Sequence, residues 1–198
     1  MSEKYEGVKF RTVFKSKDIP VDLRLETLKM WAKKFDEYRL APPYDGGSAG
    51  NLSYRVNSDS NKFIITGSRI GLKCSLQDDC FVMVENCDFS NGIVYASGVR
   101  EPSSEAMLHF AIYDKRKDVQ AIFHGHSQEI LDAAKTLKLP ATSEFYPYGT
   151  KELLQSVILI LEKHSVIIMK DHGFIALGAS MGEAGKLSLQ LIDRFQNE

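Results

Sequence analysis

The sequence predicts a mixed α/β domain whose central sheet is covered by helices. Three observations predict it. The first half of the chain carries short β-patterned apolar runs separated by small polar loops. From Ser103 onward the apolar period lengthens to that of helices, which then alternate with further short strands. The 198 residues suffice for one hydrophobic core, and 43% apolar with 26% charged residues is an ordinary globular balance.

Residues 1–21 read as an N-terminal arm, with Val8, Phe10, Val13 and Phe14 giving it apolar contact and the makings of a short strand. The domain proper spans residues 22–198. A helix is predicted over 22–40, where Leu23, Leu25, Leu28, Trp31, Phe35 and Leu40 fall near the 3.6-residue period. Trp31 and Phe35, four apart, are predicted core residues. Residues 41–50 are a turn-rich break. Strands follow at 51–56, 63–65, 81–84 and 93–95, with Thr66-Gly67-Ser68-Arg69-Ile70-Gly71 as a loop after the second. A helix over 103–116 has Met107, Leu108, Ile112 and Tyr113 on its apolar side. A strand over 121–126 leads to a helix over 128–137, then a proline-containing connection over 138–148. A helix over 150–163, strands over 166–169 and 173–178, and a C-terminal helix over 181–196 complete the chain.

Net charge is −1 and the cations are scattered, which argues against a nucleic-acid partner. The first twenty residues lack a continuous apolar core, and the most apolar run, 153–169, is broken by Gln155, Glu162, Lys163 and His164. Neither a signal peptide nor a membrane span is expected. Cys74, Cys80 and Cys87 match no zinc-knuckle spacing and read as reduced, buried thiols of a cytoplasmic protein.

The chemistry concentrates at Ala121-Ile122-Phe123-His124-Gly125-His126-Ser127. On a strand, residues i and i+2 share a face, so His124 and His126 project together while Gly125 faces the other way. Two imidazoles on one face are two thirds of a three-histidine transition-metal site. His172 stands at the end of the 166–169 strand, just before Gly173, where a third ligand would be delivered. His164 near a helix C-terminus and His109 on the 103–116 helix read as structural. Pro102-Ser103-Ser104-Glu105 supports two readings: a helix start with serine and glutamate in their preferred places, or an anion site beside a general base. Gly50-Asn51 and Thr66-Gly67-Ser68 are plain turns or phosphate-binding nests.

In this order, these pieces resemble the class II aldolase/adducin-head family. The resemblance lies in Ser48-Ala-Gly-Asn-Leu-Ser-Tyr-Arg55, Ile65-Thr-Gly-Ser68, Pro102-Ser-Ser-Glu-Ala-Met-Leu-His109, Val119-Gln-Ala-Ile-Phe-His-Gly-His126, Tyr148-Gly-Thr-Lys-Glu-Leu153 and Asp171-His-Gly-Phe-Ile-Ala-Leu-Gly178. It covers the chain from about residue 24 onward. It implies a three-layer α/β/α fold with a central mixed, largely antiparallel sheet. It also implies a metal site of His124, His126 and His172, with Glu105 as catalytic acid/base and resting-state ligand. Gly50, Asn51, Thr66, Gly67, Ser103 and Ser104 would then hold the substrate phosphate. The implied cofactor is Zn²⁺, with Mn²⁺ or Co²⁺ as substitutes.

The implied activity is retro-aldol cleavage of a C–C bond in a small sugar phosphate through a zinc-stabilised enediolate. The alternatives are a dehydratase of the methylthioribulose-phosphate type or a decarboxylase on the same frame, and a non-catalytic oligomerisation module like the adducin head. Glu105 favours aldolase over epimerase chemistry, where the family carries an aspartate motif. The three histidines argue against an adducin-like module, which lacks them. A homotetramer is the assembly the family implies. Glu144 falls near the position of a family tyrosine proton donor, with Tyr146 and Tyr148 slightly downstream, and no C-terminal tyrosine tail is seen before Glu198.

Overall fold

The computed structural model describes residues 6–134, 136 and 138–196. Residues 1–5 of the arm, residues 197–198, and Lys135 and Leu137 of the helix expected over 128–137 lie outside the described residues. The first strand, β1 (Arg11–Ser16), comes from the N-terminal arm and pairs in parallel with β7 (Ile93–Ser97) at one edge of the main sheet. The arm therefore contributes to the same sheet as the domain. Helix α1 (Leu25–Glu37) follows, then a two-stranded ribbon of β2 (Pro43–Tyr44) and β3 (Gly47–Ser48) within the expected turn-rich break.

The remaining strands are β4 (Asn51–Arg55), β5 (Phe63–Thr66), β6 (Phe81–Asp88), β8 (Ala121–Gly125), β9 (Val166–Met169) and β10 (Gly173–Gly178). The eight-stranded order is β1-β7-β6-β5-β4-β8-β10-β9. Every pairing in it except β1 with β7 is antiparallel, so the sheet is mixed and largely antiparallel. Helices α2 (Ala106–Lys115), α3 (Gln128–Ala133), α4 (Lys151–Leu159) and α5 (Met181–Gln196) complete the fold.

Strand alternation divides the core in two. On one face Phe123 packs edge-on against Phe35 (ring centroids 5.7 Å) and beside Trp31 (6.0 Å), with Leu28, Phe174 and Ala184 in the same cluster. On the other, Ile122, Ile175 and Leu177 pack with Ile112 and Tyr113 of α2 and Val157 of α4. The sheet is thus a middle layer, α1 and α5 lying on one side and α2 and α4 on the other. An aromatic such as Phe123 is worth about 3–5 kcal/mol on truncation to alanine.

Arg55 anchors α2 from behind. It is 2% exposed, and its guanidinium donates to the carbonyls of Tyr113, Arg116 and Val119. Those carbonyls lie at and beyond the C-terminus of α2, where orphaned acceptors favour a cation. The opposite end of α2 carries Glu105.

Two local expectations are corrected. Helix α2 begins at Ala106, so Ser103, Ser104 and Glu105 stand before the helix, with Glu105 at its N-cap and no side-chain cap bond. The hydroxyl of Ser103 accepts the Glu105 N–H (3.4 Å) and its carbonyl accepts the Ala106 N–H (2.9 Å), a tight turn that replaces the expected cap. Cys74 is exposed, not buried, because it sits on the outside of a short 3-10 turn, Lys73–Ser75; Cys80 and Cys87 are buried thiols.

Candidate active site

His124 and His126 leave β8 on the face turned to α2, their ring centroids 4.6 Å apart. His126 lies one residue past the strand, where its N–H bonds to the Leu40 carbonyl at 2.8 Å. Gly125 between them faces the α1 side, where an added Cβ would lie 2.7 Å from the Phe174 ring. His172 arrives from the β9–β10 turn, in which Asp171 adopts a left-handed backbone (φ 55°) and the His172 N–H bonds to Met169. An L-residue held there signals local strain of a kind that clusters at functional sites. The His172 ring stacks on that of His124, centroids 5.2 Å apart.

The three imidazoles offer ring nitrogens that all lie within 4.8 Å of one another. Glu105 closes the group: Oε2 is 3.1 Å from His124 Nε2 and Oε1 is 3.1 Å from His172 Nε2. Asn51, whose backbone pairs with that of His124, donates its amide to Glu105 Oε2 at 2.8 Å.

This arrangement fits a cation. His124 Nδ1 donates to the Phe174 carbonyl at 2.8 Å, which leaves Nε2 of the neutral ring as a lone pair. Burial pushes both His124 and His126 toward the neutral form. Burial also works to raise the Glu105 carboxyl, but the hydrogen bonds it accepts from His172 and from the Asn51 amide oppose this, and the carboxyl is held well below the usual carboxylate range. A lone pair and an ionised carboxylate thus face each other at hydrogen-bonding distance. A divalent ion between them would satisfy both, and three imidazoles are an ordinary Zn²⁺ donor set.

The group forms the floor of a cavity of about 1080 Å³. Of the phosphate-binding candidates, Gly50, Asn51, Gly67, Ser103 and Ser104 line it. Thr66 is brought close but not into the lining: it is fully buried, and its hydroxyl accepts the Leu52 N–H at 3.3 Å. Asn51 has a role beyond the one expected, holding Glu105, and its own Oδ1 is buried without a protein partner. Gly50 has φ 71°, and an added Cβ would lie 2.5 Å from the His124 carbonyl, so only glycine lets this loop rest on β8.

His109 is buried as expected, its Nδ1 paired with the Ser53 hydroxyl at 2.8 Å. Tyr148 and Arg69 also line the cavity, and Lys73 lies buried behind it. Sequence reading passed over Arg69 and Lys73, because a cation in a polar loop ordinarily marks exposed surface.

The chain belongs to the class II aldolase and adducin N-terminal domain family, whose profile matches residues 33–196. Among curated relatives, an L-fuculose phosphate aldolase of Methanococcus maripaludis (strain C7) is 32% identical over 157 residues, which cover 71% of this chain and 79% of the relative. A 5-methylthioribulose-1-phosphate/5-deoxyribulose-1-phosphate aldolase of Rhodospirillum rubrum is 29% identical over 161 residues, covering 73% of this chain and 68% of the relative. A solved L-fuculose 1-phosphate aldolase superposes with a TM-score of 0.70 at 25% identity, covering 89% of this chain and 84% of that one. These similarities agree with the enzyme class and the fold expected from the sequence.

Proposed function

We propose that the protein is a metal-dependent lyase, with zinc the expected metal, that cleaves a C–C bond of a small sugar phosphate by retro-aldol chemistry. The observation that carries this reading is the convergence of His124, His126, His172 and Glu105 on the floor of a cavity rimmed by small polar loops. A divalent ion held by the three histidines supplies a Lewis acid for the substrate's oxygens. The chain's own residues do the remaining work. Glu105, ionised and oriented by Asn51, carries the proton to and from the substrate carbon freed when the bond breaks. Gly50, Gly67, Ser103 and Ser104 orient the phosphate, so that binding energy remote from the broken bond positions the reacting carbons. Phe174 keeps His124 in one tautomer throughout.

The substrate half follows from the relatives' names: fuculose 1-phosphate, methylthioribulose 1-phosphate and deoxyribulose 1-phosphate are the first compounds to offer. The experiment is product analysis. Metal-loaded protein is incubated with these ketose 1-phosphates and dihydroxyacetone phosphate is measured. Release from one of them supports the reading. Loss of water from one of them without C–C cleavage would replace it with the dehydratase alternative, and CO₂ release from an added small aromatic acid, with no ketose phosphate cleaved, would replace it with the decarboxylase alternative. A fourfold assembly of copies is part of the same proposal and is read by light scattering.

A further inference from the structure

Lys73 is 1% exposed, yet it is a lysine on a short 3-10 turn between two loops of the cavity. Its ammonium donates to the Ser48 hydroxyl at 3.0 Å and to the Ser48 carbonyl at 3.3 Å. Ser48 passes the bond on, its hydroxyl donating to the Gly71 carbonyl at 2.9 Å. Lys73 therefore ties the loop that runs from Ser48 through Gly50 to Asn51 to the loop that follows Thr66 and Gly67. Both loops line the cavity.

A buried cation without a bonded counter-ion is costly. Among the described residues, no carboxylate is bonded to Lys73. Asp36 on α1 is the acid whose charge acts on it, and that carboxylate is engaged with the Cys74 N–H at 3.2 Å. The loop in front of Lys73, Gly50–Asn51, carries no charge of its own.

We propose that Lys73 is a positioning residue for the anionic end of the substrate: from behind the Ser48–Asn51 loop it fixes that loop and supplies the positive charge that a bound phosphate answers. The proposal rests on the sugar-phosphate reading above and gives its anion site a buried cation that does not touch the ligand. Burial pushes the Lys73 amine down to about 7, so that an arriving phosphate dianion would favour its charged form.

The test compares wild type, Lys73→Met and Ser48→Ala by calorimetric titration with Zn²⁺ and, once loaded, with dihydroxyacetone phosphate. Methionine keeps the volume and removes the charge. The expected result for Lys73→Met is dihydroxyacetone phosphate bound roughly tenfold more weakly, the scale of one charge interaction across about 12 Å at an effective dielectric of ~20. Zn²⁺ affinity should be unchanged or higher, since a nearby positive charge has been removed. Ser48→Ala, which keeps the cation, should show a smaller loss of the phosphate ligand only. Weakening of both ligands in Lys73→Met would show a merely structural lysine, and no weakening of either would show an idle one; both overturn the proposal. Wild-type protein that takes Zn²⁺ but not dihydroxyacetone phosphate overturns the sugar-phosphate reading itself, and this proposal with it.

Discussion

His124 Nε2 and Glu105 Oε2 face each other at 3.1 Å, and the Phe174 carbonyl, 2.8 Å from His124 Nδ1, ensures that the histidine offers a lone pair to the carboxylate. Glutamine at 105 would keep the shape and lose the acid. Glu105→Gln is expected to retain metal through dialysis while kcat falls by about 10²–10⁴-fold, the usual contribution of a positioned acid/base group. Metal content and steady-state rate, measured on one preparation, check this. Wild-type turnover in the variant would remove Glu105 from the proton transfer.

Gly173 bounds the three-histidine cluster sterically. A Cβ there would lie 2.5 Å from the Gly125 carbonyl and 2.7 Å from His124 Cε1. Gly173→Ala is therefore expected to displace the His124 ring and weaken Zn²⁺ binding by about tenfold or more, a ligand-orientation effect. Competition with a chromophoric chelator measures it, with circular dichroism verifying the fold. An unchanged metal affinity would mean that β10 gives way without moving the ring.

Gly185 lies on α5 against Trp31 of α1, whose indole an added Cβ would overlap. Glycine to alanine inside a helix ordinarily stabilises by about 0.5–1 kcal/mol. Here the sign should reverse, with overpacking costing about 1–3 kcal/mol. Urea unfolding of Gly185→Ala decides the sign.

Lys73 links stability to pH. Its amine is lowered by burial from 10.5 to about 7, so between those values the unfolded chain binds a proton that the folded one does not. Stability then rises with pH across that window, and the full penalty of burying the charge applies below it. The difference in unfolding free energy between wild type and Lys73→Met should move in favour of wild type as pH climbs from about 7 toward 10. A difference that stays constant with pH would show that the amine titrates normally in the folded protein.

Much of this site was legible because strand geometry is short-range. The two-residue period alone places His124 and His126 on one face and Gly125 on the other, and the 122/123 alternation splits the core between two helix layers. The sequence also marked His172, Glu105 and the glycine loops through their order along the chain. Thr66, implied by the family motif as a phosphate contact, is fully buried with its hydroxyl on the Leu52 amide, a pairing between strands that the one-dimensional pattern does not show. Helix α2 starts later than the pattern suggested, since serine in a tight turn and serine as a cap look alike in one dimension. Lys73 was invisible: its burial depends on the loops that bracket Ser48, a contact between residues 25 apart.

In the proposed mechanism His124, His126 and His172 hold one divalent ion on which C–C cleavage depends. The most direct measurement is reconstitution: chelator-stripped protein is titrated with Zn²⁺ while bound metal and dihydroxyacetone phosphate release from a ketose 1-phosphate are followed together, in wild type and His126→Ala. The expected result is saturation near one ion per chain, release rising in step with occupancy, and loss of both in the variant. Release that persists in the stripped protein, or in His126→Ala at equal rate, would contradict it.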